Sequence, residues 1–255
     1  MRTHKDLNGR RLAGFMGAVE RMGVEEFDKF ADEYYSKHAD NIRITGEMPE
    51  YFARYKVADL VRMHPNLTAK STFILDFGAG VGSSVPFLLE FFPNALLSCV
   101  DVSPRSLEIG QKRFPTAAKF KLFDGYHLPY DSRAFDLVFA ACVFHHIPKN
   151  RHADILAEIL RVLKPGGLFA VYEHNPLNPL TRRAVRTCAF DENVALIRVG
   201  RLTAAIKAAG FVSIKRAFRL FFPRALRFLR PLEPHLGWCP LGAQYVVSAG
   251  APSRG

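Results

Sequence analysis

Apolar runs of strand length alternate with amphipathic segments along the chain from residue 73 onward. The runs are nearly continuous, which is typical of parallel strands that are buried on both faces. The segments between them place apolar residues at helical spacing and end in Pro or Gly. This alternation predicts an α/β fold in which helices cover both faces of one mostly parallel sheet. The predicted strands span 73–77, 95–101, 118–124, 134–141, 168–174, 211–222 and 243–249.

Start and stop signals give the helix boundaries in this region. Ser103 is a suitable N-cap for a helix that starts at Pro104 and runs to about Phe114. An amphipathic helix over 151–163 is closed by the breaker Lys-Pro-Gly-Gly at 164–167. Two further helices are predicted over 83–92 and 202–210.

Before residue 71 the pattern is helical. Apolar residues recur at helical spacing over 19–38 and 51–63, and the breaker His-Pro-Asn ends the second stretch. We therefore expect a helical N-terminal cap over 1–70, followed by a core domain over 71–255 that carries an insert at about 223–241.

Composition narrows the class of protein. The 255 residues are 49% hydrophobic and 23% charged, which fits one or two globular domains. No apolar run approaches the ~20 residues that a membrane-spanning helix needs. The N-terminal residues lack the apolar region of a secretory signal, so we expect a cytoplasmic protein. The cysteine spacing fits neither a metal site nor a redox pair, so we expect no metal and four reduced cysteines, Cys99, Cys142, Cys188 and Cys239.

The positive charge is concentrated in the C-terminal third. The formal net charge is +11, and residues 182–255 hold 13 Lys and Arg against three acidic residues. Such a field favours an anionic partner: a phosphorylated substrate, a lipid surface or nucleic acid. A solvated basic face is the alternative interpretation.

A glycine-rich loop follows the first predicted strand, in the stretch FILDFGAGVGSS at 73–84. Its glycines are Gly78, Gly80 and Gly82, a spacing of G-x-G-x-G rather than the G-x-G-x-x-G of dinucleotide-binding loops. No Gly-Lys-Ser/Thr follows, so the loop is not a phosphate-binding P-loop. Asp101 ends the second strand, where it can bond ribose hydroxyls, and Asp124 ends the third, where it can accept from an exocyclic amine.

The run DFGAGVG … VDVS … FDG … FDLVFAACVFHHI … LKPGG resembles the class I S-adenosylmethionine-dependent methyltransferases over roughly residues 70–175. The resemblance implies a three-layer Rossmann-like fold whose seven-stranded mixed sheet has an antiparallel last strand. It also implies S-adenosylmethionine as cofactor and S-adenosylhomocysteine as product. The cofactor has no phosphate, so the loop needs no cationic side chain, and amides near Ser83 and Ser84 can bind its carboxylate.

The resemblance assigns the cofactor contacts by position. The methionine and ribose part would lie against Asp76, Gly78, Ala79, Gly80 and Gly82. Asp101 would bind the ribose hydroxyls, and Val102 would pack on the face of the adenine. Asp124 would accept a hydrogen bond from adenine N6, with the backbone of Gly125 alongside. Ala141, Cys142 and Phe144 would lie near the sulfonium and the acceptor channel. FDKFADEYYSKH resembles a short helix that folds over the cofactor in many members, from which Tyr34 or Tyr35 would reach the methionine carboxylate.

Polar residues after the fourth and fifth strands are candidates for chemistry on the acceptor. His145 and His146 follow strand four, and Glu173 ends strand five, which makes these three the acid–base candidates. Two Asn-Pro pairs then fix the shape of a loop. The predicted acceptor-binding residues are His174, Asn175, Asn178, Arg182 and Arg183, the arginines as a clamp for an anionic group together with Arg186. An ordered surface loop before a solvated basic helix is the alternative.

The insert is the second unusual segment. Pro223 can start a helical turn that Pro231 ends, with Arg224, Arg227 and Arg230 on one stripe beside a dense apolar complement. Such a segment suits peripheral contact with an anionic membrane through 223–238, a cover over the pocket, or a homodimer contact. A packed hairpin extension is the alternative.

The sequence therefore predicts a methyltransferase for a small-molecule or lipid-linked acceptor with an anionic group, methylated on oxygen or, second, on nitrogen. An NAD-dependent oxidoreductase on a related fold and a non-catalytic cofactor-binding module remain as alternatives. Nucleic acid is not an expected partner, because the basic third lacks a recognisable nucleic-acid motif.

Overall fold

A computed structural model describes residues 42–70, 72–188 and 194–253 of the chain. Its seven strands form one sheet in the order β3-β2-β1-β4-β5-β7-β6. β7 runs antiparallel to both of its neighbours, and the other pairings in this sheet are parallel. The mixed sheet with an antiparallel last strand is thus confirmed. The strands are β1 Phe73–Phe77, β2 Leu96–Asp101, β3 Lys119–Leu122, β4 Phe135–Ala141, β5 Leu163–His174, β6 Val212–Arg219 and β7 Gln244–Gly250.

The two largest differences from the predicted strand boundaries are at the start of β5 and the end of β6. β5 starts at Leu163, because the residues predicted to break the helix pair with neighbouring strands: Gly166 N–H bonds to Ala251, whose own N–H bonds to Gly167. β6 ends at Arg219 instead of 222, and Leu220 has a positive φ of 63°. These pairings join residues far apart in the chain, so the local pattern carries no signal of them.

Helices lie on both faces of the sheet. Ser103 caps α4 as predicted, since its side chain accepts the Ser106 N–H. α1 and α3 pack in one hydrophobic cluster on one face, where Val57 and Leu88 are buried, while α5 and α7 pack in the cluster on the other face. The helices are α1 Pro49–Met63, α2 Leu67–Lys70, α3 Val85–Phe91, α4 Pro104–Arg113, α5 His152–Val162, α6 Pro179–Thr187 and α7 Val199–Ala208. In the described part of the chain, no helix is both long and apolar enough to cross a membrane.

The insert between β6 and β7 is a 3₁₀ segment over Arg224–Leu236, kinked at Leu226. It continues past Pro231, where the prediction ended it. Glu233 anchors the segment: its carboxylate accepts the N–H groups of Phe221 and Phe222 and the hydroxyl of Tyr55 on α1. The segment is therefore fastened to α1.

Candidate functional site

A cavity of about 410 Å³ lies at the carboxyl ends of β1 and β4. The strand order reverses between these two strands, and ligands of open α/β sheets bind at such points. The glycine loop, the residues after β4 and β5, one face of α1, one face of α6 and residues 220–223 form most of its wall.

The glycine loop fits a ligand at its backbone. Gly78 has φ 72°, and a Cβ there would lie 2.5 Å from Val143, so only glycine is accommodated. Gly80 has φ 52°, and a Cβ there would meet nothing within 4 Å, because that position faces the cavity. Gly82 differs from its predicted role: it packs against the rings of Phe114 and Phe120 and is not part of the wall.

Asp76, at the end of β1, is a buried carboxylate in the cavity wall. Its Oδ2 has no hydrogen-bond partner among the described residues. Burial, and then the charge of Asp101, raises the pKa of Asp76 to about 7. A buried carboxylate without a partner is costly, and a cationic group of a ligand would compensate it.

Asp101 lines the cavity and also shapes the glycine loop. One carboxylate oxygen accepts the Gly80 N–H at 2.7 Å and the other accepts the Ser103 N–H at 2.9 Å. These two bonds fix the carboxylate of Asp101 beside the glycine loop, where the resemblance implies the ribose hydroxyls. Ala79 and Val102, for which the resemblance implies contacts with the cofactor, are in the same wall.

Asp124 and Gly125 do not line the cavity, in contrast to their predicted contact with adenine. Asp124 Oδ1 accepts the N–H groups of Tyr126 and His127, at 2.7 and 2.6 Å, and so fixes a turn. Gly125 takes φ 81° in that turn. Phe123 and Val102 form the cavity wall in this region instead.

The end of β4 carries an unusual backbone conformation. Cys142 has φ 59°, and its N–H bonds to the Tyr172 carbonyl. Such conformations in non-glycine residues concentrate at functional sites. Ala141 and Cys142 both line the cavity. Phe144, expected beside them, is instead buried among the rings of Phe77 and Phe169.

His145 and Glu173 form a buried pair. The Nδ1 of His145 lies 2.6 Å from Glu173 Oε2, and Glu173 Oε1 accepts the N–H groups of Val143 and Phe144 at 3.0 and 2.7 Å. Burial alone would raise the pKa of Glu173, but His145, His174 and the Phe144 N–H together lower it below its ordinary value. Glu173 is therefore ionised and orients His145; it is His145 that lines the cavity.

Two more histidines complete this side of the cavity. The ring of His145 lies 4.1 Å from that of His146 and 5.2 Å from that of His174, between centroids. All three line the cavity, as predicted for residues after β4 and β5. No group of His, Cys, Asp and Glu residues in the described ranges could hold a metal ion.

The predicted anion clamp is not assembled in the cavity. Asn175 instead donates to the carbonyls of Pro240 and Gly242. Asn178 lines the cavity, but its side chain caps α6 and donates to the Leu241 carbonyl. Arg182 and Arg183 are exposed on α6 and are absent from the wall, which α6 forms with its apolar face. The wall residues of α6 and its ends are Leu180, Thr181, Ala184, Val185 and Cys188.

Sequence reasoning missed two cations that do line the cavity. Arg230 is paired with Glu47 at 2.8 Å and stacks on Tyr51. Lys56 on α1 is buried, and its ammonium has no hydrogen-bond or ion-pair partner among the described residues. The sequence could have indicated Lys56 through its position on α1, since it lies one turn from Phe52 and therefore on the same face of the helix. The predicted cofactor contact Tyr35 lies outside the described residues.

Comparison with known proteins agrees with this geometry. Residues 75–171 match the model of a methyltransferase domain, and residues 126–221 also match the model of the N-terminal domain of anamorsin. A trans-aconitate 2-methyltransferase of Sinorhizobium fredii is 32% identical over 145 residues, covering 56% of this chain and 53% of that one. A sterol 4-C-methyltransferase of Caenorhabditis elegans is 28% identical over 137 residues, covering 49% and 40%. The chain thus spans about half the length of these relatives.

A solved structure extends the likeness over most of the chain. The crystal structure of a SAM-dependent methyltransferase from Thermotoga maritima matches with a TM-score of 0.62 and 18% identity, covering 89% of this chain and 99% of that one. At this identity the match shows the fold. The methyltransferase domain, the relatives and the fold together support a class I S-adenosylmethionine-dependent methyltransferase.

Proposed function

We propose that this chain transfers a methyl group from S-adenosylmethionine to an oxygen atom of an apolar small-molecule or lipid-linked acceptor. The observation that carries the proposal is the unpartnered buried carboxylate of Asp76, in a cavity whose wall also holds His145, which Glu173 orients from behind the wall. An amine is the second candidate acceptor, because it too must lose a proton.

Bound S-adenosylmethionine supplies an electrophilic methyl group on a positively charged sulfur. Asp76 suits the ammonium group of its methionine part, since that cation would give the buried Oδ2 a partner. Gly80 leaves the space in which a ligand can approach the backbone, and Asp101 holds that loop in place. These residues bind and orient; alignment of the reacting atoms is the main contribution such an enzyme makes.

Lys56 suits the carboxylate of the same methionine part. Its neighbour Val57 packs in one cluster with Ala79 of the glycine loop and Val85 of α3. Lys56 therefore lies on the part of α1 that borders the glycine loop and the start of α3, where Ser83 lines the cavity. Two unpartnered buried charges of opposite sign, Asp76 and Lys56, match the two charges of an amino acid.

His145 is the residue we assign to proton removal. The ionised Glu173 accepts a hydrogen bond from Nδ1, which selects the neutral tautomer with its proton on Nδ1, and in that tautomer Nε2 is the basic nitrogen of the ring. General bases of this kind typically contribute 10²- to 10⁴-fold. His146 and His174 flank the ring and complete the polar side of the acceptor site.

The rest of the acceptor site is apolar. Leu180, Val185, Leu220 and Phe222 contribute to the wall, while the arginines of α6 do not. The relatives include a trans-aconitate and a sterol methyltransferase, so relatives of this chain act on both carboxylated and apolar molecules. The apolar wall favours an apolar acceptor. If the acceptor has an anionic group, that group would lie outside the cavity, near Arg182 and Arg183.

A transfer assay tests this function. The full chain is incubated with methyl-labelled S-adenosylmethionine and fractionated cell extracts, and label in the organic phase is measured for the wild type, Asp76→Asn and His145→Gln. We expect label transfer by the wild type only, with cofactor binding kept in His145→Gln. Transfer by all three proteins would refute the assigned roles. Cofactor binding with no transfer from any fraction would favour the non-catalytic module.

A further inference from the structure

The insert between β6 and β7 bonds two of its charged side chains to the body of the protein and exposes large apolar ones. Glu233 is only 3% exposed and bonds to the backbone and to Tyr55, and Arg230 pairs with Glu47. In contrast, Phe228 is 71% exposed and Leu232 is 52% exposed. A surface segment ordinarily buries its apolar side, so this orientation leaves an apolar face uncovered.

The uncovered apolar face continues onto the neighbouring loop before α6. Trp238 is 78% exposed and Leu241 is 63% exposed. The Asn178 side chain donates to the Leu241 carbonyl at 2.7 Å, which joins this end of the insert to the start of α6, where Leu177 before the helix and Leu180 in its first turn are exposed. We call the combined region the apolar–basic surface, defined by Leu177, Leu180, Phe228, Leu232, Trp238 and Leu241 with Arg182, Arg183, Arg186 and Arg227.

The charge of the apolar–basic surface has one sign. Arg182, Arg183, Arg186 and Arg227 are exposed, and none of them forms an ion pair with a described residue. The acid within 223–241, Glu233, is buried and bonded. These four cations lie on α6 and on the insert, the two segments that also carry the exposed apolar side chains, which matches an interface that is apolar in its interior and anionic at its surface.

We propose that the apolar–basic surface docks on a bilayer that contains anionic phospholipids. Trp and Phe side chains insert at the level of the headgroups, while arginines bind the lipid phosphates. Each Lys or Arg near such a surface strengthens binding about fivefold, and exposed apolar side chains add to this.

Docking in this orientation would bring the cavity to the bilayer. Leu180 is 64% exposed and is also a wall residue, so the rim of the cavity lies within the apolar–basic surface. An apolar acceptor could then pass from the bilayer into the cavity without crossing water. This last step rests on the proposed function; vesicle binding does not, because it is measured without cofactor or acceptor.

Vesicle co-sedimentation of the full chain tests the proposal. The vesicles contain phosphatidylcholine alone or phosphatidylcholine with phosphatidylglycerol. We expect binding to the anionic vesicles only, weakened about tenfold or more by Phe228→Ala with Trp238→Ala. Reversing Arg182 and Arg183 to Glu should also weaken it about tenfold or more. Leu96→Ala is the matched control, since Leu96 is exposed at the start of β2 and lies outside this surface.

Three results would overturn the proposal. The first is equal binding to both kinds of vesicle, or to neither. The second is an equal loss of binding in the Leu96→Ala control. The third is a dimer in analytical ultracentrifugation that Phe228→Ala with Trp238→Ala converts to monomers, because a second copy of the chain would then cover this face. S-adenosylmethionine binding by each variant, measured separately, shows that the variant is folded and keeps the outcome apart from the proposed function.

Discussion

At the scale of one residue, Asp76 shows that a side chain suited to bind a ligand can lower the stability of the folded protein. It lies in the buried part of β1, next to the last residue of the strand, lacks a partner for Oδ2 and has its pKa raised to about 7 by burial and by Asp101. A hydrophobic or amide side chain would be easier to bury there. The sequence showed only an acidic residue before glycines; its isolation depends on packing and is visible only in the structure.

The raised pKa of Asp76 predicts a pH-dependent loss of stability. Between about pH 4 and pH 7 the folded protein keeps a proton on Asp76 that the unfolded chain releases, so the free energy of unfolding falls as pH rises through that window. Asp76→Asn lacks this loss. Without cofactor, we expect the variant to be more stable than the wild type by on the order of a few kcal/mol at about pH 8, and by little at about pH 4. Urea unfolding at the two pH values measures it, and an equal difference at both would contradict the assignment.

Lys56 should bind the carboxylate of S-adenosylmethionine. We expect the wild type to bind S-adenosylmethionine about tenfold or more tightly than its decarboxylated analogue, because the analogue leaves Lys56 unpaired. Lys56→Met, which keeps the length of the side chain, should lose that preference. Calorimetric titration with both compounds measures the ratio, and a ratio unchanged by the substitution would place Lys56 away from the carboxylate.

His145 and Glu173 should act as one unit. In Glu173→Gln the amide donates to Nδ1 and moves the ring proton to Nε2, so His145 can no longer accept one. With the acceptor that the transfer assay identifies, we expect kcat to fall about 100-fold in Glu173→Gln and in His145→Gln, and no further in the double variant. Affinity for S-adenosylmethionine should stay within about twofold. Additive losses would mean that the two residues act separately.

At the scale of elements, a buried charged cluster holds α1 on the sheet. Asp59 of α1 accepts from Arg219 of β6 at 2.8 Å and from the hydroxyl of Tyr172 of β5 at 3.0 Å, and Arg62 also bonds to it. α1 carries Lys56 and part of the cavity wall, so this cluster also positions the site.

Removing Asp59 leaves Arg219 buried without a counter-ion. We expect Asp59→Ala to lower the free energy of unfolding by about 3–5 kcal/mol. Glu90→Ala is the matched control, because it breaks the exposed pair with Arg54 and should change stability far less than Asp59→Ala does. Urea denaturation of both variants measures the difference. Similar losses in the two would show that the Asp59 cluster does not hold α1.

The elements also show where sequence reasoning succeeds. Strands such as β1 and β4 were predictable because a parallel strand buried on both faces must be apolar along its length. The strand residues 163–167 were not, since Lys-Pro-Gly-Gly reads as a turn and its pairing partner lies near residue 251. The orientation of the insert was also unpredictable, because its spacing allows either side to face inward.

In the site, the sequence predicted correctly that several residues at strand ends line the cavity, but it did not predict the direction in which helix side chains point. The glycine loop, Asp76, Asp101 and His145 line the cavity because the topology brings strand ends together. Arg182 and Arg183 were misplaced, since a helix that follows a loop can present any face to a cavity, and α6 presents its apolar one.

At the scale of the whole molecule, the exposed arginines and one half of the cavity belong to the same elements. The basic C-terminal third supplies the arginines of the apolar–basic surface, and the same elements, α6 and the insert, border the acceptor half of the cavity. The cofactor half is formed by β1, β2 and α1 with the unpartnered charges of Asp76 and Lys56. A charged half and an apolar half in one cavity fit the proposed methyl donor and the proposed acceptor.

Calorimetric titration of the full chain with S-adenosylmethionine, S-adenosylhomocysteine and NADH tests the central claim most directly. We expect the first two to bind and NADH not to bind. Asp76→Asn should weaken both affinities about tenfold or more, while Glu90→Gln, an exposed carboxylate on α3, should leave them unchanged. NADH binding, or affinities that Asp76→Asn leaves unchanged, would contradict the account.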